Sequence, residues 1–457
     1  MNKFFVFVLI VALCVSAHHH GFREPRKGFS YEENFKRFAA PYSTERRGNS
    51  PAIYVVDFGA DPTGMKDSSD AFQAAIDEAM KRGYGTMADE IHDCGGVSID
   101  LEGGVYLFDK PVYFPQFHGN WKMTRGTVRA SDKFPADKHI IIVGENKCGN
   151  PQGSCNEHID FSFMTFDSNL HAAGGLQIFR TMGGNVGPNI LFIGYLTSGL
   201  DLEGGHEVMV HQGWFGEYWY EGGHQNITSE NGIGVLVNGN DHFLNDVIFF
   251  WSGTGVVING GATLMRGVHS WSHNTAFIIN AEATRLENCY IDYNKMIVNN
   301  FEHNVIVDTF FLYGSVILQP VGKNKNINGF IMSRSQFDGK GIDTVIVDLS
   351  KGSFGTIRDC YITETIASHT GYNVRQTQLK KSIHLENTSH FEYDFSKHLV
   401  FGHIRDVVYS VMIESGELTT HALRPIENGT KVIVEMGQPI TGTVTFVVDE
   451  SEYTHQY

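Results

Sequence analysis

The chain has 457 residues, 35 Lys+Arg against 51 Asp+Glu, 42% hydrophobic and 19% charged residues, a composition that excludes a disordered tail protein. Its 50 glycines follow no collagen period, and the one long apolar run, Phe4 to Val15, falls short of the roughly 20 residues a helix needs to cross a bilayer. The formal charge of −16 argues against nucleic acid or an anionic membrane as partner, since both call for a basic surface, and it weighs against a polyanionic substrate as well.

Residues 1–17, MNKFFVFVLIVALCVSA, have the form of a secretory signal peptide: Lys3, an apolar core, then Val15 and Ala17 as the small residues before a cleavage point. The protein is expected to be secreted. Residues 18–50 are basic and His-rich without clear periodicity and read as a linker or arm. Asn226, Asn387 and Asn428 head glycosylation sequons, as a secretory route allows. Cys148 and Cys155 bracket a polar loop and form the best disulfide candidate, and no cysteine spacing suggests a metal site.

The segment KDSSDAFQAAIDEAMKR at 66–82 predicts a helix, with Ser68 or Ser69 as cap and Phe72, Ala75, Ile76 and Ala79 on one face. From about residue 95 the pattern turns to short apolar alternations that repeat. Glu203, Asn238, Asn259, Asn280, Asn299, Gln319 and Asp348 fall in one column, at steps of 35, 21, 21, 19, 20 and 29 residues. A second short strand follows each, from HQGWF through ENCYID to RDCYIT. Such a period with a polar residue at each corner predicts a β-solenoid, the column forming a side-chain ladder and Val235, Val256, Phe277 and Met296 an inward stack. Cys289 and Cys360, set at equivalent positions several rungs apart, are expected as free core thiols.

The runs VVDFGADPTGMKDSSDAFQAAIDEA and GGVSIDLEGGVYLFDKPVYFP resemble the opening of the pectate-lyase-like superfamily. GTVRASDKFPADKHIIIV, GLDLEGGHE, NGNDHFLNDV and NCYIDY further resemble plant Quartet-type polygalacturonases. The resemblance implies an all-β, right-handed parallel β-helix at 51–394 with an N-terminal capping helix; the strand-like residues 395–457 read as a small β appendage. It also implies a glycoside hydrolase, related to family 28, that hydrolyses galacturonan with no cofactor; a monomer is expected. The sequence lacks the Asn-Thr-Asp, Asp-Asp, Gly-His-Gly and Arg-Ile-Lys motifs of polygalacturonases proper, so no catalytic residue transfers by motif. A catalytically silent wall-binding protein, or a lyase or β-glucanase on the same fold, stands as the alternative.

Read from the rungs, inverting hydrolysis needs two carboxyl groups about 6.5 to 9.5 Å apart. Asp241 is the expected acid, Asp246 or Asp201 the base, and His206 or His269 the residue that orients them, with His206 placed over Asp241 and His211 over Asp246. Phe215, Phe250 and Trp271 are expected as an outward aromatic stripe for a sugar, edged by His269, His273, Asp292 and Glu217, with Tyr290 outward beside them. Tyr218, Trp219 and Tyr220, in an insertion at 217–231, are placed to wall one side of the cleft.

Overall fold

The computed structural model describes residues 52–452 apart from 88–89, 148–153, 217–231, 273, 322–324, 340–342, 369–372, 418, 425 and 427. The signal peptide, the arm, Cys148, Asn226, the 217–231 insertion and His273 therefore lie outside the described residues. From Ala52 to Ala367 the strands of successive turns pair in parallel. The result is a right-handed parallel β-helix.

Each rung carries three strands. The first ladder runs through Ser198–His206, Ile233–Val237, Thr254–Ile258, Thr275–Ile279, Lys295–Val298, Ser315–Leu318 and Val345–Val347. The second contains Met209–His211, Phe243–Asn245, Leu264–Arg266, Arg285–Glu287 and Val305–Val307. The third contains Gly213–Phe215, Ile248–Phe250, His269–Trp271, Tyr290–Asp292, Phe310–Leu312 and Gln336–Asp338. The three-residue strands of the second ladder are the ones a two-strand repeat leaves out.

Alternation explains the core. Val235, Val256, Phe277 and Met296 are register partners in the first ladder and all are buried, as are Val247, Val268 and Cys289 beside the third. Phe166, Phe192, Phe215 and Phe249 stack inside the helix with ring centroids 4.6, 4.7 and 5.3 Å apart. Between the second and third ladders the chain bends through one left-handed residue per rung: Asp246, Gly267, Asn288, Asp308 and Arg334 have φ from 50° to 62°. Asp and Asn visit this region more readily than most residues because their short side chains bond locally.

The polar column is a hydrogen-bonded ladder. Asn238 Nδ2 donates to Glu203 Oε1, Asn259 to Asn238, Asn280 to Asn259 and Asn299 to Asn280, at 2.7, 2.8, 2.7 and 2.7 Å. Gln319 breaks the direction and donates to Asp348 Oδ2 at 2.9 Å. Asn299 Oδ1 is left without a donor among the described residues.

The capping helix is Ser69–Ala79, its buried face Phe72, Ala75, Ile76 and Ala79. At the other end Gln378–Asp394, Asp406–Ser415 and His421–Leu423 pair antiparallel with Lys431–Asp449. Residues 378–394, assigned from sequence to the β-helix, thus belong to the appendage sheet: their alternation is that of any strand, and only the partner fixes the direction of pairing. This sheet has its own core, including Leu385, Phe395, Val434 and Phe446.

Cys289 and Cys360 are free and buried, but they are not equivalent. Cys360 precedes Tyr361–Thr363, which pairs in the second ladder, whereas Cys289 precedes Tyr290–Asp292 in the third. Matching ENCYID to RDCYIT by motif crossed two ladders. Cys155 is disulfide-bonded. Asn387 and Asn428 are exposed. Among the described residues no helix is long and apolar enough to cross a membrane.

Candidate functional site

The register moves several expected neighbours by one residue, and a single cause accounts for them. Glu203 is level with Asn238, yet His206 bridges to Asn240 and Met209 pairs with Phe243. The earlier rung therefore holds one residue more at this corner. Gly204 and Gly205, at φ 76° and 73°, accommodate it. His206 accordingly lies over Asn240 rather than Asp241, and His211 over Asn245 rather than Asp246. Further along the same rung Phe215 pairs with Phe249 and is fully buried, so it faces the core, and Trp214 faces outward in its place.

Asp241 and Asp246 both occupy left-handed corners, at φ 56° and 53°, on either side of the strand Phe243–Asn245. Four residues separate them, and no hydrogen bond or ion pair between them is present among the described residues; the extended span is at most roughly 16 Å. Asp241 accepts from Asn240 Nδ2 at 2.6 Å. His206 pairs with the carboxylate of its neighbour Glu207.

Asp201 is different. It lies on the first ladder between Leu200 and Leu202, which point into the core, so its side chain faces the outer wall; even so it is only 6% exposed. Gln177 Nε2 donates to its Oδ2 at 3.1 Å, and Oδ1 has no partner among the described residues. Burial first, then the charge of Glu203, pushes the Asp201 carboxyl up to about 7. Glu203, two residues along on the same side, is held by Asn238 Nδ2. A proton kept on Asp201 near neutral pH makes the carboxyl a donor and relieves the orphaned oxygen.

The third ladder presents an aromatic wall. Ring centroids step from Trp214 to Phe250 at 5.4 Å, to Trp271 at 5.0 Å, to Tyr293 at 6.0 Å and on to Tyr313 at 5.4 Å. His269 stacks on Tyr290 at 4.7 Å, and its Nε2 is 3.0 Å from Asp292 Oδ2. Asp292 Oδ1 has no partner among the described residues. Asp338, two rungs beyond Asp292 in the same column, was missed in the sequence, although placing SRSQFD on ENCYID puts it there. Toward the N-terminal rungs this wall opens into a groove of about 1010 Å³ lined by Leu191, Ile193, Trp214 and Ile248, with Gln212 and Asp246 at its edge.

The right-handed parallel β-helix is the scaffold expected of pectate-lyase-like proteins, and the sequence resembles that of a plant Quartet-type polygalacturonase. The chain is 29% identical over 419 residues to Polygalacturonase QRT3 of Arabidopsis thaliana, covering 88% of this chain and 85% of the relative. No family model matches. Among solved structures, the tailspike protein of E. coli bacteriophage HK620 in complex with a pentasaccharide is similar at a TM-score of 0.48 and 12% identity, over 88% of this chain and 94% of that one. An exopolygalacturonase from Thermotoga maritima gives 0.43 and 12%, over 69% and 91%. The fold assignment rests on the strand pairings rather than on these two likenesses.

Proposed function

We propose that the protein is a secreted glycoside hydrolase that cleaves galacturonan, with Asp201 as general acid and Glu203 as its carboxylate partner. The observation that carries the reading is the Asp201–Glu203 pair: two carboxyl groups on one side of one strand, one of them raised to about 7. A carboxyl raised in this way beside a second acid is the pattern of a general acid. Same-side positions on a strand place their Cα atoms about 6.6 Å apart, and the two side chains lie within hydrogen-bonding reach of each other.

In the proposed reaction the Asp201 proton passes to the glycosidic oxygen as its bond to the anomeric carbon breaks. Water attacks that carbon, and Glu203 accepts the water proton. Gln177 and Asn238 keep the two carboxyl groups in place. The similarity to a polygalacturonase supplies the substrate class.

The test is reducing-end release from polygalacturonate and pectin. Asp201→Asn is expected to lower the rate by about 10²- to 10⁴-fold, the usual worth of a positioned acid, whereas Asp241→Asn leaves it within about twofold. An unaffected Asp201→Asn enzyme would refute the assignment. Wild-type protein that releases nothing from either substrate would instead favour the silent wall-binding reading, which the missing polygalacturonase motifs support.

A further inference from the structure

The aromatic wall and groove of the third ladder stand on a different face of the β-helix from the Asp201–Glu203 pair. We propose that this face is a second polysaccharide-binding surface, and that its occupant is galacturonan with its carboxyl groups methyl-esterified, an uncharged chain. The inference goes beyond the hydrolytic reading and shares with it only the pectin-like substrate.

Three observations carry it. First, the rings of Trp214, Phe250, Trp271, Tyr293 and Tyr313 form an unbroken outward series along successive rungs. Aromatic faces of this kind take the C–H faces of sugars and the methyl groups of esters, and Tyr293 and Tyr313 are 54% and 43% exposed.

Second, the charge lining the groove is of one sign. Among the described residues lining the groove there is no Lys, Arg or His, and the ionisable side chain present is Asp246. Along the wall stand Asp292 and Asp338, and the imidazole beside them, His269, is engaged by Asp292. The neighbouring guanidinium of Arg334 is taken by Asp308 at 2.8 Å. A chain with a free carboxylate on every sugar meets like charge at Asp246, Asp292 and Asp338 along this face, whereas an esterified chain does not.

Third, the wall holds an unmet hydrogen-bonding demand. Asp292 is more than nine-tenths buried and its Oδ1 has no donor among the described residues. A sugar hydroxyl seated beside Trp271, with a small shift of the carboxylate, supplies one. A free carboxylate on the ligand does not.

The test uses the full chain carrying Asp201→Asn, so that the ligand is not consumed, and measures binding to highly methyl-esterified pectin and to polygalacturonate at low ionic strength. Binding to the esterified polymer is expected to be at least tenfold tighter, with the gap narrowing as salt screens the face. Trp271→Ala and, separately, the exposed Tyr313→Ala are each expected to weaken binding to esterified pectin about tenfold; Met412→Ala, on the appendage, serves as the unchanged control. Tyr313 is 43% exposed, and an unchanged melting temperature of the Tyr313→Ala protein separates lost affinity from unfolding. Equal or tighter binding to polygalacturonate, absence of binding to both polymers, or indifference to both aromatic substitutions overturns the proposal. Failure of wild-type hydrolysis with this binding pattern intact overturns the hydrolase reading alone.

Discussion

Asp201 is a carboxyl whose folded pKa, about 7, exceeds its value in an unfolded chain, about 3.9. Between those pH values the folded state holds a proton that the unfolded state has released. Its contribution to stability is therefore full below about pH 4 and is lost as pH rises through 7. In the acid role, loss of the same proton makes activity fall as pH rises through about 7. Glu203→Gln removes the neighbouring charge but leaves the burial. The alkaline limb of the pH–rate profile is expected to move to lower pH, and the decline in stability between pH 4 and 7 to become shallower; an unmoved limb would show that Glu203 does not tune Asp201. Asp201 could be chosen from the sequence as one of several acids, but its partner could not. Glu203 looked only like the first member of the Asn column, and it is that too. Phe215 was placed outward because the additional residue at Gly204–Gly205 leaves no trace in a count made from the column; the register of Met209 on Phe243 and the stacking on Phe192 and Phe249 reveal it.

The side-chain ladder and the inward stack were legible as elements because several rungs share a 21-residue period, and any property repeated at that interval stacks along the axis. The second ladder was not legible. Phe243–Asn245 and its partners show a single buried residue each, Leu244, Met265 or Leu286, whereas a second buried residue, Val247, Val268 or Cys289, precedes each third-ladder strand and makes the alternation visible. The ladder offers a direct stability test. Asn259 donates to Asn238 and accepts from Asn280, so Asn259→Ala abolishes both bonds and leaves an acceptor and a donor unmatched. Both bonds are exposed, so water meets the freed groups, and a loss of about 1 kcal/mol is expected from the urea midpoint, without change in the parallel-sheet signal.

For the whole molecule, a solenoid whose rungs touch only their neighbours confines damage to where it occurs. Phe249 is fully buried in the aromatic stack between rungs, and Phe249→Ala is expected to cost about 3 to 5 kcal/mol. Hydrogen exchange should quicken in the strands around Ile248–Phe250 while the antiparallel sheet, with its separate core around Phe446, keeps its protection. Uniform loss of protection across both cores would contradict this picture.

The reversal in the polar column has a mechanical consequence. One run of side-chain bonds is tied off at the Glu203 carboxylate and the other at Asp348, so the turns carrying Asn299 and Gln319 face each other with backbone pairing intact but no amide bond of the column between them. A load drawn along the axis finds its weakest side-chain join there. It is also the seam at which two separately built lengths of solenoid could be spliced with least disturbance to either.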